Sequence, residues 1–506
     1  MRPNSGGLRS IFRATAILSA STGVTILIGL VTSKVNAVFL GPKGYGYVGL
    51  FQSMVNVAVL VAGLGIGSGL VRFGASSGAQ NDHVAVAKLC QGARLILYVT
   101  SVVVLVSVML FRHTLSVWFL GTPEFPWSVA LMGIVIALTL GTRLMTSILN
   151  TYHRVEVLAK NSVMDSVLCA VSTILIIIGW REKGIVASII AASIISWLVA
   201  RYSLHKSVGH IQVRTTTLYE SVHAAASLIK FGGPYTASMM VGTGVQLMLP
   251  VLVLHMLGPD DVGYYRAAVS ISVTYLGFLI TAMAQDYFPR VSAASDQPRE
   301  LVDLINKQQR LVLLLGVPMI LGTLALVPLL VPLVYSLKFA PTAEILEWQL
   351  IGDIFKFSSW TMSFVILARC SSLTYFVAET VGGISILATS WLGIKFFGVA
   401  GLGISFVVAY LIYYLVVWVI VRKEIGMVFT KSNKLLLLAA VCAGIFVRLL
   451  SYSPLQGLRT PTGLALALAA GAWSIRAIVH DGGHIAILAT LQNRFVKLTA
   501  GAAVTK

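Results

Sequence analysis

Long apolar runs, broken by short polar stretches, set the pattern of this chain. A window of about 20 apolar residues is what crosses a hydrocarbon core roughly 30 Å thick. Read that way, the sequence predicts fourteen helices near 11–33, 46–71, 93–111, 127–149, 162–180, 184–202, 228–257, 264–288, 309–335, 347–368, 373–394, 398–421, 434–451 and 462–479. Barrel strands are about ten residues long and alternate strictly; these runs do neither. No long hydrophilic insertion separates them. The first run follows the basic start MRPNSGGLRSIFR and stays apolar through Leu40. It is therefore expected to be a membrane helix and not a cleaved leader.

One piece of the pattern is written twice. FLGPKGYGYVGLFQ begins at Phe39, and MLGPDDVGYYRAA begins at Met256. Gly41-Pro42 aligns with Gly258-Pro259, Gly46-Tyr47 with Gly263-Tyr264, and Gln80 with Gln297, all at one offset. The same offset lays Gly184–Leu198 over Gly401–Leu415, keeping Ser188 over Ser405 and Ala192 over Ala409. Helices 1–6 and 7–12 thus read as two copies of one unit. Six is even, so both copies enter the membrane from the same side and are parallel repeats. The expected domains are an N-terminal lobe at 1–210, a cytoplasmic linker at 211–227, a C-terminal lobe at 228–425 and an extra hairpin with tail at 426–506. The Gly-Pro steps are expected to make tight corners after a span. The run GLGIGSG, Gly63–Gly69, is expected to allow close helix approach or a bend.

Composition sharpens this. The chain is 57% hydrophobic and 11% charged, with mean hydropathy +0.88, against about 25% charged in soluble domains. It is a polytopic membrane protein. Its net charge of +19 fits cytoplasmic loops and contact with anionic membrane lipids; no aromatic-basic motif for nucleic acid appears. The four cysteines have no metal or paired spacing. With the N-terminus inside, 26 Lys and Arg fall in inner segments and 10 in outer ones. Both ends are therefore expected in the cytoplasm. The fold class expected is an all-α polytopic membrane protein. It has two six-helix parallel repeats forming two lobes around a central cavity, plus a C-terminal helical hairpin, about 14 transmembrane helices in all.

The segment Phe39–Ala75, with its L-G-P-x-G-x-G corner, the following Gln52 and a glycine-rich end leading to Arg72, resembles the polysaccharide transporter family, the Wzx-type O-antigen flippases of the multidrug/oligosaccharidyl-lipid/polysaccharide exporter superfamily. Phe396–Val417 is similar to that family's twelfth span. The likeness covers spans 1–12. The final hairpin departs from the commonest twelve-span form. What the resemblance implies is translocation of an oligosaccharide on an undecaprenyl pyrophosphate carrier, from the cytoplasmic to the periplasmic leaflet of a bacterial inner membrane. It also implies work beside a polysaccharide polymerase and a chain-length regulator.

Such a cargo asks for a cationic lumen, since Arg and Lys pair with phosphate and Arg does so bidentately. An ionisable group at bilayer depth costs about 2.5–3.5 kcal/mol and so faces a cavity or a partner. The candidates for substrate binding are Lys34, Arg72, Arg143, Arg266, Arg290, Arg310, Lys356 and Arg369. Asp286, Asp353 and Glu379 are the candidates for ion or proton coupling. Asp353 and Lys356 share one helix face and are expected to neutralise each other. Several of the basic residues equally suit snorkelling to headgroups. Gln52, Asn56, Asn150, Asn161, Gln246 and Gln349 offer polar lining for sugars, or glue between helices. No cofactor and no metal is expected, and no catalytic constellation stands out, so the chain is read as a transporter and not an enzyme. The alternatives are a cation-coupled multidrug antiporter and a lipid II-type flippase.

Overall fold

A computed structural model of the 506-residue chain describes residues 5–79, 83–152, 154–208, 218–452 and 456–481. Gln80, Arg2, Arg214 and the tail residues Arg494, Lys497 and Lys506, which entered the expectations above, lie outside the described residues. The described residues are helical and contain no strand. In chain order the α-helices are α1 (Ser5–Gly63), α2 (Ile66–Ala79), α3 (His83–Leu110), α4 (Arg112–Leu120), α5 (Pro126–Thr151), α6 (Val155–Trp180), α7 (Ile185–Val208), α8 (Leu218–Met256), α9 (Pro259–Val269), α10 (Gly277–Ala293), α11 (Pro298–Val334), α12 (Thr342–Arg369), α13 (Ser372–Ile425), α14 (Lys431–Leu449) and α15 (Arg459–Asp481). Helix α8 begins inside the segment 211–227 that the sequence suggested as a linker. Among the described residues, eleven helical stretches are long and apolar enough to cross a membrane.

Three of those stretches, Ala20–Gly63, Glu156–Ser207 and Leu373–Ile425, are far longer than one crossing needs. Each contains a left-handed residue at its middle. In α1 it is Gly41, with φ 65° and ψ −174°. Pro42 cannot donate to the carbonyl four residues back and its ring crowds that carbonyl, so the helix must break there, and glycine is the residue that tolerates the required backbone. Proline then suits the first turn of the next segment. In α13 the break is Gly398, with φ 57°. Between α6 and α7 it is Arg181, with φ 48°, opening a short 3-10 link at Arg181–Gly184. Gly258, with φ 125°, precedes Pro259 at the start of α9. The pairs Gly41 and Gly258, and Arg181 and Gly398, are each 217 residues apart, the separation that also divides Gly49 from Arg266.

The chain forms two compact units. The first comprises Met1–Thr274, Leu329–Leu346 and Phe376–Ala409. Here α1 packs on α6 and α9, α5 lies against α3 and α7, and α8 lies against α3. Close approaches rest on glycine: a Cβ on Gly184 would stand 3.0 Å from the Ile176 carbonyl, and one on Gly393 would stand 2.6 Å from the Gly401 carbonyl. An aromatic group of Tyr45, Tyr335 and Phe339 is buried, with ring centroids 5.3–5.7 Å apart, and the Tyr335 hydroxyl donates to the Ala267 carbonyl at 3.1 Å.

The second unit comprises Tyr275–Pro328, Glu347–Tyr375 and Tyr410–Lys506. The end hairpin, α14 and α15, docks here through small residues: Gly463 meets Ala325 and Val447, and Gly444 meets Ile351. The contact also carries charge. Glu347 of α12 is 3% exposed and lies between Arg448 at 3% and Arg459 at 7%. The Arg448 Nε is 2.9 Å from one Glu347 oxygen, and an Arg459 Nη pairs with the other. Arg459 also donates to the Leu324 carbonyl at 3.0 Å, and Arg448 lies over the Trp348 ring at 5.6 Å. Both arginines, counted among the ten Lys and Arg of the outer segments, are buried partners of one carboxylate.

Removing that carboxylate strands two cations, and breaking a buried ion pair from one side costs about 3–5 kcal/mol. Glu347→Ala is expected to lower the thermal midpoint of the detergent-purified protein steeply. The triple replacement Glu347→Ala, Arg448→Leu, Arg459→Leu is expected to recover most of the loss. Equal midpoints for Glu347→Ala and wild type would show that the triad does not hold the hairpin.

Candidate functional site

The glycine run Gly63–Gly69 shapes a cavity in the first unit. Leu64 and Gly65 are both left-handed, with φ 46° and 66°, and they separate α1 from α2. The bend lets α2 depart at an angle, and absent side chains leave space beside it. Gly65 lies so close to Gly232 of α8 that a Cβ would overlap its carbonyl, and a Cβ on Gly232 would stand 2.5 Å from the Leu64 carbonyl. The run therefore supplies both roles expected of it, a bend and a close helix approach.

The resulting cavity has a volume of about 640 Å³. Two of the arginines named from sequence, Arg72 of α2 and Arg143 of α5, line it. Both are exposed. The polar wall is Ser68, Thr146, Ser147 and Asn150, with Thr236 of α8 opposite, and the apolar wall includes Val59, Leu60, Leu97 and Leu140. Glycines at 63, 65 and 67 complete it. Hydroxyls and an amide donate and accept, so such a wall suits a polyhydroxylated ligand, and two guanidinium groups suit an anion. Asn150 was expected as polar lining; Ser68, Thr146, Ser147 and Thr236 were not singled out, because isolated hydroxyl residues in apolar helices carry no distinctive spacing.

The other sequence candidates fall elsewhere. Lys34 of α1 donates to the carbonyls of Pro332 and Leu333 at 3.0 and 2.8 Å. Arg266 of α9 donates to the Gly49 carbonyl at 3.0 Å and to the Gln52 side chain. Glu379 of α13 is half-buried, one turn before Gly383, whose neighbours are Val241 and Val245. In the second unit Arg290 pairs with Asp286 at 2.9 Å, both exposed. Arg310 donates to the Ser432 hydroxyl at 2.7 Å, and Arg369 donates to the Ser295 carbonyl. Lys356 lies 3.5 Å from Asp353, as their spacing implied, and 5.8 Å from the Tyr410 ring centre. Asp353 is fully buried, and so is Gln349 one turn earlier. No cluster of three or more metal-ligating side chains occurs among the described residues.

The fold is similar to that of solved membrane transporters. The chain superposes on a solved lipid II flippase, MurJ, in an inward closed conformation with TM-score 0.69 and 15% identity, over 92% of this chain and 99% of that one. It superposes on a multidrug resistance MATE family transporter, inward-facing and assigned to the MOP superfamily, with TM-score 0.67 and 14% identity, over 79% of this chain and 94% of that one. By sequence, residues 35–344 match the polysaccharide biosynthesis protein family, more than half of the chain, and the protein belongs to that family. It is 23% identical to the lipid III flippase of Escherichia coli (strain K12) over 415 residues, which is 80% of this chain and 96% of the relative.

Glycine geometry gives the cavity a direct test. Gly65→Ala would put a side chain on a left-handed backbone, about 1–3 kcal/mol by itself, and against the rigid Gly232 backbone. It is expected to lower the thermal midpoint clearly, followed by tryptophan fluorescence in detergent. Gly67→Ala meets only the Ser147 hydroxyl, at 2.8 Å, which rotates away, and is expected to be near neutral. Equal midpoints for the two variants would contradict the role given to the bend.

Proposed function

We propose that the protein is a flippase for lipid-linked oligosaccharide precursors of a surface polysaccharide, working by alternating access in the bacterial inner membrane. The observation that carries this reading is the cavity bordered by Arg72 and Arg143, with hydroxyl and amide groups on the rest of its polar wall. It combines cationic groups for a phosphate with polar groups for sugars. Membership of the polysaccharide biosynthesis family supports it, as does likeness to a lipid III flippase over nearly the whole of that relative. The relatives are transporters, which agrees with a non-enzymatic role.

In this reading the cargo is an oligosaccharide repeat unit on an undecaprenyl pyrophosphate carrier, for O-antigen, exopolysaccharide or capsule. Arg72 and Arg143 take the pyrophosphate, and Ser68, Ser147, Asn150 and Thr236 meet sugar hydroxyls. Lys34, Arg266, Arg290, Arg310, Lys356 and Arg369 contribute positive field, and Asp286, Asp353 and Glu379 are the carboxylates assigned to ion or proton coupling. The architecture proposed is two parallel six-helix lobes, 1–210 and 228–425, joined by the segment 211–227 and followed by the hairpin and tail of 426–506. This gives fourteen crossings with both ends cytoplasmic. The paired left-handed residues 217 apart and the long helices broken at their middles support it. A polymerase and a chain-length regulator are the proposed neighbours. A lipid II-type flippase is the second reading, favoured by a fold likeness that extends over 92% of this chain; it shares the anionic carrier.

The test uses a deletion strain. Lipid-linked oligosaccharide is expected to accumulate in the inner leaflet and to clear on complementation. A charge-assisted hydrogen bond is worth about 1.5–3 kcal/mol, or roughly ten- to hundredfold in rate if made in the transition state. Arg72→Ala and Arg143→Ala are expected to lose that much at normal protein level, with Lys variants retaining part. No accumulation, with altered drug sensitivity instead, would replace the flippase by an antiporter. Full clearance by both Ala variants would remove the cavity from the reading.

A further inference from the structure

The twice-written motif closes on itself. Gly46 of α1 faces α9: a Cβ there would stand 2.6 Å from the Pro259 carbonyl. Gly263 of α9 faces α1 in the same way, and a Cβ there would overlap the Pro42 carbonyl. Pro42 and Pro259, like Gly46 and Gly263, are repeat mates at the 217 offset. The contact is therefore reciprocal, with residue i meeting the mate of j and j meeting the mate of i, which is the form of a two-fold interface. The bond from Arg266 to the Gly49 carbonyl spans the same 217 residues. Two mates touch only where they lie at the local two-fold axis, so α1 and α9 cross on that axis, backbone against backbone at Gly46 and Gly263, with the Arg266 side chain laid over Gly49 beside them.

Around this crossing the structure spends its cations on the protein's own acceptors. Arg266 ties Gly49 and Gln52, and Lys34 caps the terminal carbonyls of Pro332 and Leu333 at the end of α11. The buried rings of Tyr45, Tyr335 and Phe339 back the contact. One face of α1 runs from here inward: Gly49, Gln52, Asn56, Leu60 and Gly63 recur at helical spacing, and Leu60 and Gly63 border the cavity. The crossing thus stands at one end of the helix face that leads to the cavity.

We propose that the reciprocal glycine contact is the closed gate at one end of the transport path, and that Arg266 is its latch. It rests on the transporter reading above. Opening parts α1 from α9, exposes the two glycine faces and frees Arg266 from the Gly49 carbonyl. By the charge distribution of the loops, this gate is on the periplasmic side. The backbone surfaces at Gly46 and Gly263 allow the gate to seal closely and leave Arg266 as the side chain that must let go; an added methyl holds it ajar.

The experiment places one reporter, Asn56→Cys, in a chain whose native cysteines are replaced, and labels intact cells with a membrane-impermeant maleimide. Gly46→Ala, Gly263→Ala and Arg266→Gln are each introduced beside it. Gly242→Ala, where a Cβ meets nothing within 4 Å, is the control. A methyl pressed on backbone and a lost latch shift the open population by about tenfold. Labelling is expected to rise by that factor in all three variants and not in the control, with transport reduced in the two glycine variants at normal protein level. Unchanged labelling in all three variants would overturn the gate. Labelling equal to the control in Arg266→Gln alone would overturn the latch. If labelling rises as expected but the deletion strain accumulates no lipid-linked oligosaccharide, the gate stands and the flippase reading fails.

Discussion

Two helices approach each other most closely when the residues between them have no side chain. At the crossing of α1 and α9 that condition is met from both sides, by Gly46 against the Pro259 carbonyl and Gly263 against the Pro42 carbonyl. In a membrane the gain does not come from expelling water, because lipid is as apolar as the helix face. Association there rests on packing and on polar contacts between helices. A contact made of two glycine faces and an arginine-to-carbonyl bond uses both. It also constrains the neighbouring stretches of chain. The breaks at Gly41 and Gly258 have to stand one residue before the prolines for Pro42 and Pro259 to begin the crossing segments, and the helical spacing of α1 then delivers Leu60 and Gly63 to the cavity wall.

The cavity comes from the same economy. Space inside a helical membrane protein is made by removing side chains or by bending a helix away, and Gly63–Gly69 does both. The left-handed step at Leu64 and Gly65 separates α2 from α1, while Gly65 pins the bend to Gly232. Arg72 is then carried to the same opening as Arg143. Their proximity to one space is a product of a backbone event several residues away, so the bend shapes the cavity as much as the arginines do.

That dependence explains what could be read in advance. The all-helical, membrane-crossing character was legible because a membrane demands about 20 apolar residues per crossing, although fourteen spans were expected and eleven stretches are found among the described residues; the corners were legible because Gly-Pro leaves the backbone few alternatives. Arg72, Arg143 and Asn150 stood among the polar candidates because such residues are rare in apolar helices, and they line the cavity. The destinations of the other charges were not. In sequence Lys34, Arg266 and Arg369 look like Arg72: single cations near the end of a span. Only the tertiary arrangement shows that their hydrogen bonds go to backbone carbonyls. Glu347, Arg448 and Arg459 were missed for the converse reason. They flank spans where charge is common, and nothing local marks them as one buried group. The reciprocal contact was half legible, since the repeat was visible but its two copies could not be seen to face each other.

The acceptors chosen by these cations sort them by what they can do. A carboxylate partner neutralises the charge, so Lys356 on Asp353, Arg290 on Asp286 and Arg448 with Arg459 on Glu347 present little or reduced net field. A carbonyl satisfies the donor and leaves the charge. Lys34 and Arg266 are held this way. A phosphate oxygen accepts the same bonds and adds a full Coulomb attraction, roughly doubling the strength of each. Cations on carbonyls can therefore exchange a protein acceptor for an anionic cargo at a gain, whereas cations on carboxylates would first have to leave a charge unpaired. The first unit thus holds cations on carbonyls, Lys34 and Arg266, while the buried carboxylate Glu347 of the second unit holds helices together through Arg448 and Arg459.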